Sequence, residues 1–148
     1  KQMLFGLPAR QATRVPIVTY TVPELAQLGL TEAAARAAYP QVQVIRQEFL
    51  HNDRAVTDGK TAGFLKLMLV KGRPVGVTII GTGAGELIGL WALAMSARLK
   101  LGALAAMIAP YPTRSEISKR AAGAYFSPKL FDNMALKQVV RLVQRLLP

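Results

Sequence analysis

Most of the chemistry available to this chain lies in eight residues, Ala109-Pro110-Tyr111-Pro112-Thr113-Arg114-Ser115-Glu116. They follow an apolar, glycine-punctuated segment and lead into a helical pattern. A phenol such as Tyr111 has a reference pKa of about 10. It suits hydrogen bonding or orienting a ligand better than proton exchange near neutral pH. Glu116 could act as a general acid or base, or as a carboxylate that orients one. Each residue also has a plainer role. Thr113-x-x-Glu116 matches a capping box, in which the glutamate only closes a helix N-terminus. A tyrosine between prolines is equally a packed turn residue.

Other candidates are weaker. Gly81-Thr82-Gly83-Ala84-Gly85-Glu86 lies between a strand pattern and a helix pattern, the setting of a dinucleotide-binding turn. Its third fingerprint glycine is replaced by Glu86, whose carboxylate would repel a pyrophosphate. No Asp or Glu follows about 20 residues later to hold a ribose. A tight turn with close strand–helix packing fits the segment better. His51, in a polar stretch, reads as exposed and idle. With one His and no Cys, the chain offers no hydrolase triad, thiol nucleophile or disulfide. Its eight Asp and Glu are scattered, which argues against a metal site.

The elements that must position these residues follow from hydropathy. At 148 residues the chain fits one domain. Its 51% hydrophobic content and mean hydropathy of +0.27 point to apolar surface that meets a partner. Val15–Thr21 reads as a strand, and Pro23–Gly29 as a helical turn closed by glycine. Thr31 caps a short helix over 32–39 that Pro40 stops. Val42–Phe49 reads as a strand and His51–Ala62 as a loop. Gly63–Val70 and Val75–Ile80 form a hairpin, apolar on both faces and therefore mid-sheet. Glu86–Leu99 is a helix apolar nearly all round, so buried or at an interface. Gly102–Ile108 is a second short helix, and Ser115–Phe126 a third. Ser127-Pro128 starts a last amphipathic helix with Leu136, Val139, Val140, Val143, Leu146 and Leu147 on one face. This order of strands then helices is an α+β pattern with a mostly antiparallel sheet.

The net charge is +11, and from Arg98 onward nine basic residues face only Glu116 and Asp132. Such a field attracts anions. A basic module for nucleic acid or an anionic membrane is therefore the alternative function. The charges are not interleaved with stacking aromatics, which argues against nucleic acid. The apolar run Val75–Ala97 is broken by five glycines and Glu86, which argues against a membrane span. No signal peptide is visible, and a first residue other than Met suggests a piece of a longer protein.

The ordered motifs resemble one family. Ala-Pro-Tyr-Pro-Thr-x-x-Glu is similar to the His-Pro-Thr-x-x-Glu signature of the flavin-dependent pyridine nucleotide-disulfide oxidoreductases, in their C-terminal dimerisation domain. Val15–Glu32, Gly63–Leu67 and Val75–Ile88 resemble that domain's first strand and Pro-Glu-x-Ala turn, its central strand, and the strand, turn and helix that follow. The resemblance implies a mostly antiparallel sheet flanked by helices, forming the twofold interface of a homodimer. It implies residues 1–14 as a linker from a preceding domain, 15–126 as the dimerisation domain and 127–148 as a basic helical extension. In the family the His of the signature reaches the partner's flavin and redox disulfide, and the Glu orients it. By position, Tyr111 and Glu116 are the catalytic candidates acting across the interface, and Tyr111 and Pro112 would lie near the partner's FAD. Tyr111 stands where that His stands. An Ala-Pro-Tyr here is similar to mercuric reductases, although their terminal cysteine pair has no counterpart. FAD and NAD(P) are expected in a full-length, cytoplasmic parent oxidoreductase, with neither cofactor nor activity expected on this chain alone.

Overall fold

The computed structural model describes residues 14–128 and, beyond them, Met134, Gln138, Arg141, Val143 and Gln144. The linker expected over 1–14 and the basic helix expected after Ser127 lie almost wholly outside the described residues.

Five antiparallel strands form one sheet in the order β1-β2-β5-β4-β3. They are β1 (Ile17–Thr19), β2 (Glu24–Gly29), β3 (Gln43–Glu48), β4 (Phe64–Val70) and β5 (Arg73–Gly81). The hairpin β4–β5 supplies the two inner strands that its apolar faces require, with a register shift at Met68/Leu69. Helix α1 (Glu32–Ala38) starts as expected, with the Thr31 side chain accepting from the Ala34 N–H. It crosses the outer face of the sheet, where Lys66 of β4 donates to Glu32 at 2.6 Å.

The other face carries the core. Ala26, Leu28, Leu65, Leu67, Val77 and Ile79 point one way from three neighbouring strands, all fully buried. Helix α3 (Ala84–Ser96) covers them through Ile88, Trp91, Ala94 and Met95. Full burial of each large aliphatic side chain contributes roughly 1.5–3 kcal/mol relative to exposure. Helices α4 (Leu101–Ala106) and α5 (Glu116–Ala124) pack on each other, and α5 reaches β3 and β4. Trp91 Nε1 donates to Ser118 Oγ at 3.0 Å, a buried bond that ties α3 to α5. That bond fixes the helix whose N-terminus carries Glu116.

Two expectations are corrected. Residues 23–29 are not a helical turn. Residues 24–29 form strand β2, because Ala26 and Leu28 alternate with Leu25 and Gln27, and all six pair with β5. Tertiary pairing outweighs the local Pro…Gly helix signal. Residues 51–62 are not simply a loop. A 3-10 turn (Phe49–His51) leads into helix α2 (Asp53–Thr57), whose N-cap is Asn52. The Asn52 Oδ1 accepts from the Ala55 N–H at 3.0 Å, a cap that needs only one side chain.

The apolar run Val75–Ala97 is divided between β5 and α3, and among the described residues no helix is long and apolar enough to cross a membrane.

Candidate functional site

The turn at 81–86 is a packing device. Gly83 is the N-cap of α3 at φ 77°, a left-handed conformation that favours glycine. A side chain at Gly81 would strike the Phe49 ring. The Gly85 N–H, which a bound phosphate would claim, donates instead to Glu24 Oε2 at 2.9 Å. That carboxylate already complements the helix dipole. With Glu24 seated there and Glu86 in the first helical turn, the turn does not fit a dinucleotide pyrophosphate.

The loop joining α4 to α5 is different. Its Ile108 and Tyr111 are 96% and 71% exposed, so large side chains project where the described residues do not cover them. Pro112 is also exposed, and the Tyr111–Pro112 peptide is cis. The Val22–Pro23 peptide is cis too.

The expected capping box is absent. Thr113 Oγ1 donates to the Pro110 carbonyl at 2.7 Å, and so can only accept from the Ser115 hydroxyl 2.8 Å away. Helix α5 begins one residue later than expected, at Glu116, with Ser115 and not Thr113 at its N-cap. Glu116 is left without its capping role. Its Oε2 is buried and accepts no hydrogen bond among the described residues, and Arg114 Nε is likewise buried and unpaired.

Tyr111 does not turn to Glu116. Its hydroxyl donates to Asp53 Oδ2 at 2.9 Å. The hydrogen bond to Asp53, with the negative charges of Asp53 and then Glu116, holds the phenol above its ordinary pKa, and Arg120 opposes them weakly. Tyr111 is therefore a protonated hydrogen-bonding group through the physiological range.

Asp53 belongs to a segment that sequence reasoning passed over. Residues 51–58 are fastened to 111–120 by four further contacts. Asn52, 1% exposed, donates from Nδ2 to the Thr113 carbonyl at 3.0 Å. Arg114 pairs with Asp58 at 2.7 Å, and Arg54 closes on the same carboxylate at 3.0 Å. Arg120 donates to the His51 carbonyl and lies 4.0 Å from Asp53 Oδ2. The His51 imidazole itself is exposed and enters none of these bonds. The available signal was Asn52 as an Asx N-cap before a short helix-compatible run. Nothing local marks the contacts to residues about sixty positions away.

The architecture is that of an α+β domain with one covered sheet face and an uncovered aromatic loop. Residues 15–122 match the family described as the pyridine nucleotide-disulphide oxidoreductase dimerisation domain, and the chain belongs to that family. Among curated relatives, dihydrolipoyl dehydrogenase 3 of Pseudomonas aeruginosa is 37% identical over 110 residues, 73% of this chain and 24% of the relative. The mitochondrial dihydrolipoyl dehydrogenase of Dictyostelium discoideum is 38% identical over 117 residues, 77% of this chain and again 24% of the relative. The chain thus spans about a quarter of the length of these relatives. Among solved structures, the HOCl-induced flavoprotein disulfide reductase RclA from Escherichia coli superposes with a TM-score of 0.77 at 25% identity. That match covers 82% of this chain and 29% of RclA. LpdA from Mycobacterium tuberculosis superposes with a TM-score of 0.73 at 27% identity, covering 84% of this chain and 28% of LpdA.

Proposed function

We propose that this chain dimerises its parent, a flavin-dependent oxidoreductase, and that the Tyr111 loop completes the partner subunit's active site. The observation that carries the reading is the projection of Ile108 and Tyr111 from a loop that is itself firmly anchored. An anchored loop with uncovered large side chains suits an interface, because little ordering entropy is lost when the partner arrives. FAD and NAD(P) belong to other domains of the parent, since the 81–86 turn does not fit a dinucleotide. Tyr111 and Pro112 would form part of the wall beside the partner's flavin, with Glu116 behind them. The phenol orients a ligand there and does not exchange protons near neutral pH.

The alternative, a basic module for nucleic acid or an anionic membrane, rests on the basic residues from Arg98 onward. Of these, Arg114 pairs with Asp58, and Arg120 donates to the His51 carbonyl and faces Asp53, so both are engaged within the fold.

The test is made on the intact protein. Ile108→Asp is expected to convert a dimer to a monomer in light scattering at low and high salt, because it places a charge in an apolar contact. Tyr111→Phe is expected to keep the dimer and to change the rate at which bound flavin is reduced and reoxidised. A dimer untouched by Ile108→Asp, or flavin kinetics untouched by Tyr111→Phe, would sink the corresponding half of the reading.

A further inference from the structure

Tyr111 and Asp53 meet across 58 residues of chain, in an arrangement that decides which face of the phenol is free. An ionised carboxylate has only acceptor sites, so the proton in the 2.9 Å contact belongs to the phenol and lies on the Asp53 side. The phenol oxygen keeps its lone pairs for whatever approaches from outside. Asp53 is itself held in place. It opens α2 immediately after the buried cap Asn52, and the Arg120 guanidinium lies 4.0 Å from the same oxygen while donating to the His51 carbonyl.

We propose that Asp53 is the positioning residue of Tyr111, drawing the phenol proton inward so that the exposed oxygen receives a hydrogen-bond donor from the facing subunit's site. The proposal rests on the placement of Tyr111 argued above, and it deepens that placement by giving the contact a polarity. The group that meets Tyr111 is then a donor, such as a thiol S–H or an amide N–H, and not a bare anion. Glu116, expected from the signature to be the orienting carboxylate, does not hold the phenol. The groups that set its ionisation are Asp53 and Glu116 on one side and Arg120 on the other. Both carboxylates favour the protonated phenol, and Arg120 opposes them.

The test uses the intact protein labelled with 13Cζ-tyrosine, with the Tyr111 signal assigned by its loss in Tyr111→Phe. At neutral pH a phenol that donates to a carboxylate shows its Cζ signal downfield of an unpaired one. The wild-type Tyr111 signal is expected there, moving upfield in Asp53→Asn. On raising the pH, Tyr111 is expected to ionise above free tyrosine in the wild type. In Asp53→Asn the ionisation falls, in Asp53→Glu it is restored in part, and in Arg120→Gln it rises. The wild-type Cζ position keeps the test open if Asp53→Asn fails to fold. A wild-type Tyr111 signal at the position of an unpaired phenol, or identical shifts and ionisation in wild type and Asp53→Asn, would overturn the proposal. The flavin kinetics of Tyr111→Phe report separately. If they are unaffected while the Asp53 coupling holds, the pair stands and the placement beside the flavin falls.

Discussion

The sheet with its helix α3 and the paired loops at 51–58 and 111–120 are held by different forces. Beneath α3, Leu65, Leu67, Val77, Ile79 and Trp91 are fully buried and contribute through apolar area and packing. The loops are joined by polar groups, among which only Asn52 is fully buried. The ion pairs around Asp53 and Asp58 stay partly open to water. Burial gives the first region stability that varies little with salt or pH. The second has geometry more than stability, since exposed ion pairs typically contribute about 0–1 kcal/mol. A loop held by several such contacts is ordered enough to present Tyr111, yet responds to the charge of what it meets.

The largest effect is expected in the core. Trp91→Ala removes a fully buried indole and the bond to Ser118, at a cost of about 3–5 kcal/mol. Thermal unfolding of the intact protein measures it. A loss below about 1 kcal/mol would mean that the two regions are not so distinct. Asn52→Ala comes next. It removes the α2 cap, about 1 kcal/mol, and leaves the Thr113 carbonyl unpaired at a further cost of about 1–3 kcal/mol. Amide exchange is expected to quicken over 53–57 and 110–115 and to hold steady in β4 and β5. Acceleration spread evenly over the sheet would break the comparison.

The pair Arg114–Asp58 should give a coupling of about 0.5–1 kcal/mol in a double-mutant cycle. The coupling shrinks as salt is added, because the pair remains partly exposed. The smallest effect sharpens the contrast on the sheet's outer face. Hydrogen bonds from Lys66 and then Arg36 hold the Glu32 carboxyl below its ordinary pKa. A depressed carboxylate contributes stability that is present above the unfolded pKa and lost as pH falls through the folded one. Glu32→Gln should therefore flatten the acid side of the melting-temperature profile by lowering the neutral value slightly and leaving the acid value unchanged.

Legibility followed the same division. The hairpin β4–β5, helix α1 with its Thr31 cap and the apolar helix α3 were readable, since period, turn residues and caps are local signals. Strand β2 was misread, because Pro23 and Gly29 imitate helix punctuation within six residues, whereas the deciding contact is with β5 fifty residues on. The capping box failed for a related reason. Thr113 and Glu116 have the right spacing, but the Thr113 hydroxyl is drawn back to Pro110 within the loop. Tyr111, Pro112 and Glu116 were singled out by resemblance to a motif. Asp53 was passed over within a segment read as loop.

By itself, the sequence determined the α+β class, the apolar centre of the sheet, the family and the aromatic loop on which a site could be built. These depend on residue type and short spacing, and hydrophobic burial needs no particular partner atom. Only the tertiary structure decided that Tyr111 answers to Asp53 and not to Glu116, and that Glu24 occupies the helix end where a phosphate would bind. A hydrogen bond needs two atoms within about 3 Å and correctly aimed, and no spacing along the chain encodes that for groups about sixty residues apart.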